Sequence, residues 1–299
     1  MRMIIIRAVQ MRIVFISALA CALLLGACGD EDEDDADLHV VATTGIVAEI
    51  ARNIAGPGVE IEQLVPDGAS PHDFQLSAKD RQKLAEADLV LANGANLEAG
   101  IPLDEAEGPV WELAANAGEL LPFGDGGADP HVWMDPARVA DAMPSLADAF
   151  AHVDAAGASG YRSRARDYAA DLRTRDREFD DRLGRVPPGA RKLVTSHDAL
   201  GYFADRYGFE VVATAFPASG AEAEPSAGSL DDVVKAIEES GVPAVFAAAE
   251  DDPEVLRQLA AQAGVEVVDE LLIESVGDSG GYQEMLSRDV DLIAGALAP

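Results

Sequence analysis

The sequence is poor in cysteine and in basic residues, and each shortage excludes a class of protein. Only two of its 299 residues are cysteines, Cys21 and Cys28, and both lie near the N-terminus. The body of the chain therefore has neither a disulfide framework nor a cysteine-ligated zinc site. Lysine and arginine number 22 against 54 acidic residues, for a net charge of −32. Such a chain is not expected to bind nucleic acid, because phosphate recognition needs a clustered basic surface.

Long apolar runs are equally scarce. The uncharged run at residues 13–25 follows three arginines, but it is shorter than the roughly 20 residues that a membrane-spanning helix needs. This pattern is typical of a secretory signal peptide, here covering residues 1–27. The run ends in Leu-Gly-Ala-Cys, which resembles the bacterial lipobox and predicts that Cys28 is lipid-modified and begins the mature chain. The alternative is an ordinary signal peptide with an incidental cysteine.

An acidic segment separates that signal from the rest of the chain. Seven of the eight residues from Asp30 to Asp37 are acidic, and mutual repulsion keeps such a run extended and solvated. We expect residues 28–37 to be a lipidated tether that holds a folded body at the outer face of the cell membrane, in the periplasm or on the cell surface. Apolar residues make up 48 % of the chain, which is enough for that body to fold.

Strand and helix patterns alternate in two stretches of the body. Strands are expected at 38–43, 59–65, 88–92, 192–195, 210–215, 244–248 and 265–268. Helices are expected at 46–55, from a cap at Ser77, at 198–207, from a cap at Ser229 to 240, after Pro253 and at 282–297. This β-α-β rhythm predicts an α/β fold in which helices cover both faces of parallel sheets.

A long helical stretch lies between the two α/β segments. Apolar side chains recur from Tyr161 to Leu183 at mostly helical spacings, and a Pro-Pro-Gly sequence ends the pattern. At 1.5 Å per residue this helix reaches about 35 Å. We therefore expect two α/β lobes with parallel sheets, at residues 38–155 and 187–299, joined by a long rigid backbone helix within residues 156–186.

Three of the five histidines lie in loops that follow predicted strands. His72 lies in Ser-Pro-His-Asp-Phe, His131 in Asp-Pro-His-Val-Trp-Met-Asp, and His197 in Thr-Ser-His-Asp-Ala. Open α/β sheets bind ligands at the carboxyl ends of their strands, and imidazole is a ligand for zinc, copper, iron and nickel. The residues alone leave two interpretations open: a metal site in the cleft between the lobes, or three hydrogen-bonded structural histidines.

Longer motifs surround these histidines. They are PHDF, HVWMD and TSHDALGYF, with EADLVLANGANLE between the first two and EAEPSAGSLDDVV after the third. Through them, nearly all of residues 38–299 resembles the lipid-anchored zinc- and manganese-binding proteins of bacterial ABC metal importers, the zinc-uptake type. The resemblance implies two α/β lobes, a long backbone helix between them and a metal ion bound in the cleft.

The resemblance also implies which side chains bind that ion. His72, His131 and His197 correspond to the first three ligands of the family. Many members supply an aspartate as the fourth ligand, and Glu274 stands at that position here. The alternative fourth ligand is Asp269.

Other residues near these motifs have supporting roles in this interpretation. Asp135 is expected to accept a hydrogen bond from a ligand histidine, because ligating imidazoles usually donate their second N–H to a carboxylate or carbonyl. Asp198 is the weaker candidate for that role. Trp133 is expected to pack beneath the HVWMD loop, and His39 and His152 are expected to be structural.

The expected function is capture of a divalent transition-metal ion outside the cytoplasm and its delivery to an ABC permease in the membrane, by a monomer and without chemical transformation. Zinc (Zn²⁺) is the expected ion, because manganese (Mn²⁺) favours oxygen donors. A manganese-specific protein of the same family and a surface adhesin are the alternatives. A zinc hydrolase is disfavoured, because H-E-x-x-H is absent and four protein ligands leave no position for an activated water.

Overall fold

The computed structural model describes residues 38–124, 126–216, 227–249 and 254–298, the side chains of residues 227–229 excepted. Cys28 and the predicted signal and tether lie outside this part of the chain. Among the described residues, no helix combines the length and the apolar character that crossing a membrane requires.

Two four-stranded parallel sheets with the same connectivity form the two lobes. The first contains β1 (Val40–Ala42), β2 (Ile61–Gln63), β3 (Leu89–Ala92) and β4 (Val110–Glu112) in the order β2-β1-β3-β4. An antiparallel hairpin of β5 (Pro122–Phe123) and β6 (Gly127–Ala128) follows. The second sheet contains β7 (Lys192–Thr195), β8 (Glu210–Thr214), β9 (Ala244–Ala248) and β10 (Glu266–Leu271) in the order β8-β7-β9-β10. The predicted α/β class and parallel sheets are confirmed.

Nine helices occur in the described part of the chain. They are α1 (Gly45–Ala55), α2 (Ala78–Glu86), α3 (Leu113–Asn116), α4 (Pro136–Val153), α5 (Ala158–Leu183), α6 (Gly201–Tyr207), α7 (Ala227–Ser240), α8 (Glu254–Ala263) and α9 (Tyr282–Leu297). Ser77 caps α2, since its hydroxyl accepts a hydrogen bond from the Asp80 N–H at 3.2 Å. This cap was predicted from the sequence, as were the bounds of α9.

Some elements differ from the sequence-based expectations. The helix expected from residue 198 begins at Gly201, because residues 197–200 form a turn in which the Ala199 N–H donates to the His197 carbonyl at 3.0 Å. α7 begins at Ala227, so Ser229 lies within its first turn and is not its cap. The sequence analysis did not identify α4, whose interior contains Pro144, a residue that usually argues against a helix.

Both faces of each sheet are buried, which explains the apolar character of its strands. Val40 and Ala42 of β1 face the main core, whereas Val41 between them belongs to a smaller cluster on the opposite face. In the second lobe, Phe246 faces the main core and Val245 the opposite cluster. Side chains alternate between the two faces of a strand, and helices cover both faces of a parallel sheet.

The main core continues from one lobe to the other along α5. The predicted apolar stripe of this helix, which includes Tyr161, Leu172 and Phe179, is buried in the same cluster as strand residues of both sheets. α5 packs against α1 and α4 of the first lobe and against α9 of the second. Its 26 residues span about 39 Å at 1.5 Å per residue. The exact lobe boundaries at 155 and 187 stay a prediction.

A buried carboxylate reinforces the junction of α5 with the second lobe. Asp176 of α5 is 4 % exposed and accepts hydrogen bonds from the Arg206 guanidinium and, at 3.2 Å, from the Tyr207 hydroxyl, both on α6. The hydrogen bond with Asp176 raises the pKa of Arg206 above its usual value. Arg206 Nε also lies 3.8 Å from the carboxylate of Asp135, at the start of α4. One network of ion pairs and hydrogen bonds thereby connects α4, α5 and α6.

The shared core predicts that the two lobes keep a nearly fixed relation. A wide hinge motion would expose apolar surface, and each Å² of buried apolar surface stabilises by about 25 cal/mol. Small-angle scattering of the protein with and without added zinc should therefore give nearly the same radius of gyration. A marked compaction on addition of zinc would contradict this prediction.

Candidate metal centre

Four ligand-type side chains from both lobes meet beyond the carboxyl ends of strands. His72 lies in the loop after β2, His131 follows the β5–β6 hairpin, His197 follows β7, and Glu274 follows β10. One ligand atom from each of the four lies within 4.8 Å of the others. The structure therefore brings together the four residues that the family resemblance implied, and does so where open α/β sheets form their binding crevices.

The spacing of these atoms suits one small ion. Oε1 of Glu274 lies 3.3 Å from Nε2 of His72 and 3.5 Å from Nε2 of His197. The ring centroids of the three histidines are 5.5 to 6.4 Å apart. Tetrahedral zinc, with bonds of roughly 2.0–2.1 Å, holds its ligand atoms about 3.3 Å apart. The two carboxylate–imidazole distances are close to that value.

His131 is oriented by a carboxylate on the side of its ring away from the cluster. Its side chain is fully buried, and Nδ1 lies 2.8 Å from Oδ1 of Asp129, which also accepts the His131 backbone N–H at 2.9 Å. Pairing with a carboxylate places the proton on Nδ1. Nε2, which is also buried, has no hydrogen-bond partner among the described residues. Its lone pair is thus available to an ion.

Burial also favours the neutral form of this imidazole. Desolvation lowers the pKa of His131, although the hydrogen bond to Asp129 acts in the opposite direction. A neutral imidazole is the form that binds a metal ion. His131 is therefore prepared for coordination before an ion arrives.

Glu274 provides the negative charge of the cluster. It is 9 % exposed, and burial by itself would raise the pKa of its carboxyl group. The hydrogen bond with His72 and the charges of the nearby histidines outweigh burial, so the pKa of Glu274 lies below its usual value. The carboxylate is ionised at neutral pH and presents a negative charge to a divalent cation.

Hydrogen bonds from side chains to backbone carbonyls hold the loops of both lobes in place. The Thr195 hydroxyl donates to the His197 carbonyl at 2.9 Å. The Asn93 side chain, after β3, donates to the Pro130 carbonyl at 2.9 Å. From the second lobe, the Tyr202 hydroxyl on α6 donates to the Asp129 carbonyl, also at 2.9 Å. The loop that carries His131 is therefore fixed from both lobes.

The structure corrects the expectation for Asp135. Its carboxylate caps α4 by accepting hydrogen bonds from the backbone N–H groups of Ala137 and Arg138. Asp129, which the sequence analysis did not single out, is the residue that contacts the ligand-type histidine. Asp129 precedes His131 in the sequence, whereas Asp135 follows the short 3₁₀ turn at Val132–Met134.

The remaining candidates are not among the four grouped residues. Asp269, the alternative fourth ligand, is on β10 and pairs with Arg257. Asp198 is adjacent to His197, and burial raises the pKa of its carboxyl group. His39 lies before β1 with Nε2 3.7 Å from Glu62, and His152 lies in the last turn of α4. Neither histidine belongs to the cluster of four.

The chain is similar to known metal-binding proteins. The model of the family described as zinc-uptake complex component A, periplasmic, matches residues 40–296. The manganese-binding lipoprotein MntA of Halalkalibacterium halodurans is 28 % identical over 291 residues, 94 % of this chain and 96 % of that protein. The iron-binding protein YfeA of Yersinia pestis is 32 % identical over 265 residues, 85 % of each chain.

A solved structure has the same fold. The periplasmic zinc-binding protein TroA of Treponema pallidum superposes with a TM-score of 0.81 and 26 % identity, covering 88 % of this chain and 100 % of that one. The names of these three similar proteins specify manganese, iron and zinc. They agree on metal binding and differ on the ion.

The roles of Asp129 and Asp135 can be separated by substitution. Asp129→Ala should weaken zinc binding about 10- to 100-fold, the usual loss when a partner of a ligand histidine is removed. Asp135→Ala is the matched control and should lower the free energy of unfolding by about 1 kcal/mol through loss of a helix cap. Calorimetric titration with zinc and thermal unfolding measure both effects. A larger loss of zinc affinity in Asp135→Ala than in Asp129→Ala would restore the original expectation.

Proposed function

We propose that this chain, which belongs to the zinc-uptake complex component A family of metal-binding proteins from ABC importers, captures its cargo ion with His72, His131, His197 and Glu274. The observation that carries this assignment is their convergence within 4.8 Å, from four loops of two lobes. The buried and unpaired Nε2 of His131 supports it further, since an orphaned buried polar atom is costly unless a ligand satisfies it.

The cargo ion is bound and released without being transformed. Proteins of this family are not enzymes, and four protein ligands complete a tetrahedral shell, which leaves no position for an activated water. All four ligands belong to one chain, so a monomer is sufficient to bind the ion. The ion then passes to the ABC permease in the membrane.

We assign zinc as the preferred ion on the basis of the donor set. Three nitrogens and one carboxylate suit zinc, which accepts tetrahedral nitrogen and oxygen ligands. Manganese stands below zinc in the affinity order for a given site and favours a larger share of oxygen donors. The similar proteins above are named for different ions. The proposal of zinc therefore rests on the donor atoms of the four ligands.

We also propose that Cys28 anchors the protein to the outer face of the membrane. The Leu-Gly-Ala-Cys sequence supports this assignment, as does the similarity to proteins named as manganese-binding lipoproteins. The acidic segment at residues 30–37 then connects the anchor to the folded body. Anchoring would keep the body close to its permease.

The ligand set can be tested one histidine at a time. His72→Ala, His131→Ala and His197→Ala should each weaken zinc binding by more than the roughly 10- to 100-fold that loss of an outer partner costs. His39→Ala and His152→Ala are matched controls outside the cluster and should bind zinc normally. Affinity should also fall as the pH is lowered, because protons compete with the ion for the imidazole nitrogens. Unchanged affinity in any of the three variants would remove that residue from the site.

The preference for zinc can be tested with a variant that adds an oxygen donor. The unsubstituted chain should bind zinc more tightly than manganese. His197→Glu should reduce the ratio of the zinc affinity to the manganese affinity, because it replaces a nitrogen donor by a carboxylate. Dissociation constants for both ions, measured under the same conditions, provide the comparison. Tighter binding of manganese by the unsubstituted chain would show that the assignment of zinc is wrong.

The anchor can be tested by cell fractionation. Cys28→Ala should move the protein from the membrane fraction to the soluble fraction, because stable attachment needs more than one acyl chain on an anchored residue and the variant has none. Cys21→Ala is the control, since Cys21 lies within the predicted signal peptide. Retention of a processed Cys28→Ala protein in the membrane would exclude the lipid anchor.

A further inference from the structure

The HVWMD loop of the first lobe is hydrogen-bonded to the Glu274 segment of the second lobe. The Trp133 indole N–H donates to the carbonyl of Ile273 at 2.8 Å. Trp133 is 2 % exposed and Ile273 is 1 % exposed, so water does not compete for this bond. The acceptor is the residue immediately before Glu274, and the donor is two residues after His131.

Leu272, the residue before Ile273, is hydrogen-bonded to α9 of the same, second lobe. The Leu272 N–H donates to Oδ1 of Asp289 on α9 at 2.9 Å. The Tyr282 hydroxyl, at the start of α9, donates to the Trp133 carbonyl at 2.5 Å. Together with the indole bond to Ile273, these bonds link Trp133, α9 and the segment before Glu274 to one another. All three hydrogen bonds join buried residues.

These hydrogen bonds have a consequence for the fourth ligand. The Leu272 N–H is bonded to Asp289 and the Ile273 carbonyl to Trp133. These two bonds fix the direction of the backbone that leads into Glu274. Glu274 Oε1 then lies 3.3 Å from His72 Nε2 and 3.5 Å from His197 Nε2. A shift of the Ile273 carbonyl would move the carboxylate relative to both imidazoles.

We propose that Trp133 is a positioning residue for metal binding and acts by holding Glu274 in place through the Ile273 carbonyl. It does not touch the ion, and its effect on affinity depends on the Glu274 carboxylate. The inference builds on the proposed function and adds a residue outside the four ligands. It also assigns to Trp133 a function beyond packing under its loop.

The chain offers a matched control for this proposal. Trp111 is the second of the two tryptophans, is 6 % exposed, and donates its indole N–H to the Ser145 hydroxyl at 3.0 Å. Trp111→Phe and Trp133→Phe thus each remove one indole hydrogen bond from a buried ring. Only the bond of Trp133 leads to the ligand cluster.

The test is a double-mutant cycle on the full chain, with zinc affinity measured by competition with a chromogenic chelator. Trp133→Phe should weaken zinc binding about tenfold, in the range for outer partners of ligands, and Trp111→Phe should leave it unchanged. In a Glu274→Ala background, Trp133→Phe should add less than about a twofold loss, because the group that it positions is already absent. In a His72→Ala background the loss should remain about tenfold, since Glu274 is still present.

The outcomes separate a positioning role from a structural one. Equal losses from Trp133→Phe in all three backgrounds, or no loss in the unsubstituted chain, would overturn the proposal. If Trp133→Phe does not fold, Tyr282→Phe removes the other bond to Trp133, and its loss of affinity should likewise disappear in Glu274→Ala. Failure of the unsubstituted chain to bind zinc, manganese or iron would instead overturn the proposed function itself, and this inference with it.

Discussion

The hydrogen bond between Asp129 and Nδ1 of His131 is the interaction on which the rest of the site depends. An imidazole buried completely loses its hydration, and its two nitrogens must find partners within the protein. Asp129 satisfies Nδ1 and thereby directs Nε2 into the cluster. Asp129 is in turn held by the Tyr202 hydroxyl of the second lobe. A ligand from the first lobe is therefore oriented by the second, and the complete cluster requires that the two lobes pack as they do.

That packing is provided by a core that both lobes share. Strand residues of both sheets and the buried stripe of α5 form one apolar cluster, and the Asp176–Arg206 pair adds a charged connection between α5 and α6. Four ligands from four distant parts of the sequence can keep separations of a few ångströms only if the elements that carry them are rigid. The long helix and the shared core supply this rigidity.

The sequence predicted the parallel sheets and the long helix, because these depend on local patterns such as short apolar runs. It also placed His72, His131 and His197 in loops after strands, but a shared metal site was one of two interpretations that the residues left open, and the resemblance implied that the three are ligands. Glu274 is one of 54 acidic residues and has no distinguishing pattern, so it was identified only by resemblance. Both Asp129 and Asp135 lie near His131 in the sequence, and the structure separates them, because Asp135 caps α4 and Asp129 contacts Nδ1 of His131.

A rigid site also affects how an ion can be selected. If the lobes could adjust freely, the ligands would close around any divalent ion, and the intrinsic affinity order would decide alone. Here the backbone before Glu274 is held by Trp133 at the Ile273 carbonyl and by Asp289 at the Leu272 N–H, and His131 is hydrogen-bonded to Asp129. Two of the four ligands are thus supported by hydrogen bonds that do not depend on the presence of an ion. The hydrogen bonds behind the ligands are therefore as much a part of the recognition of the ion as the ligands themselves.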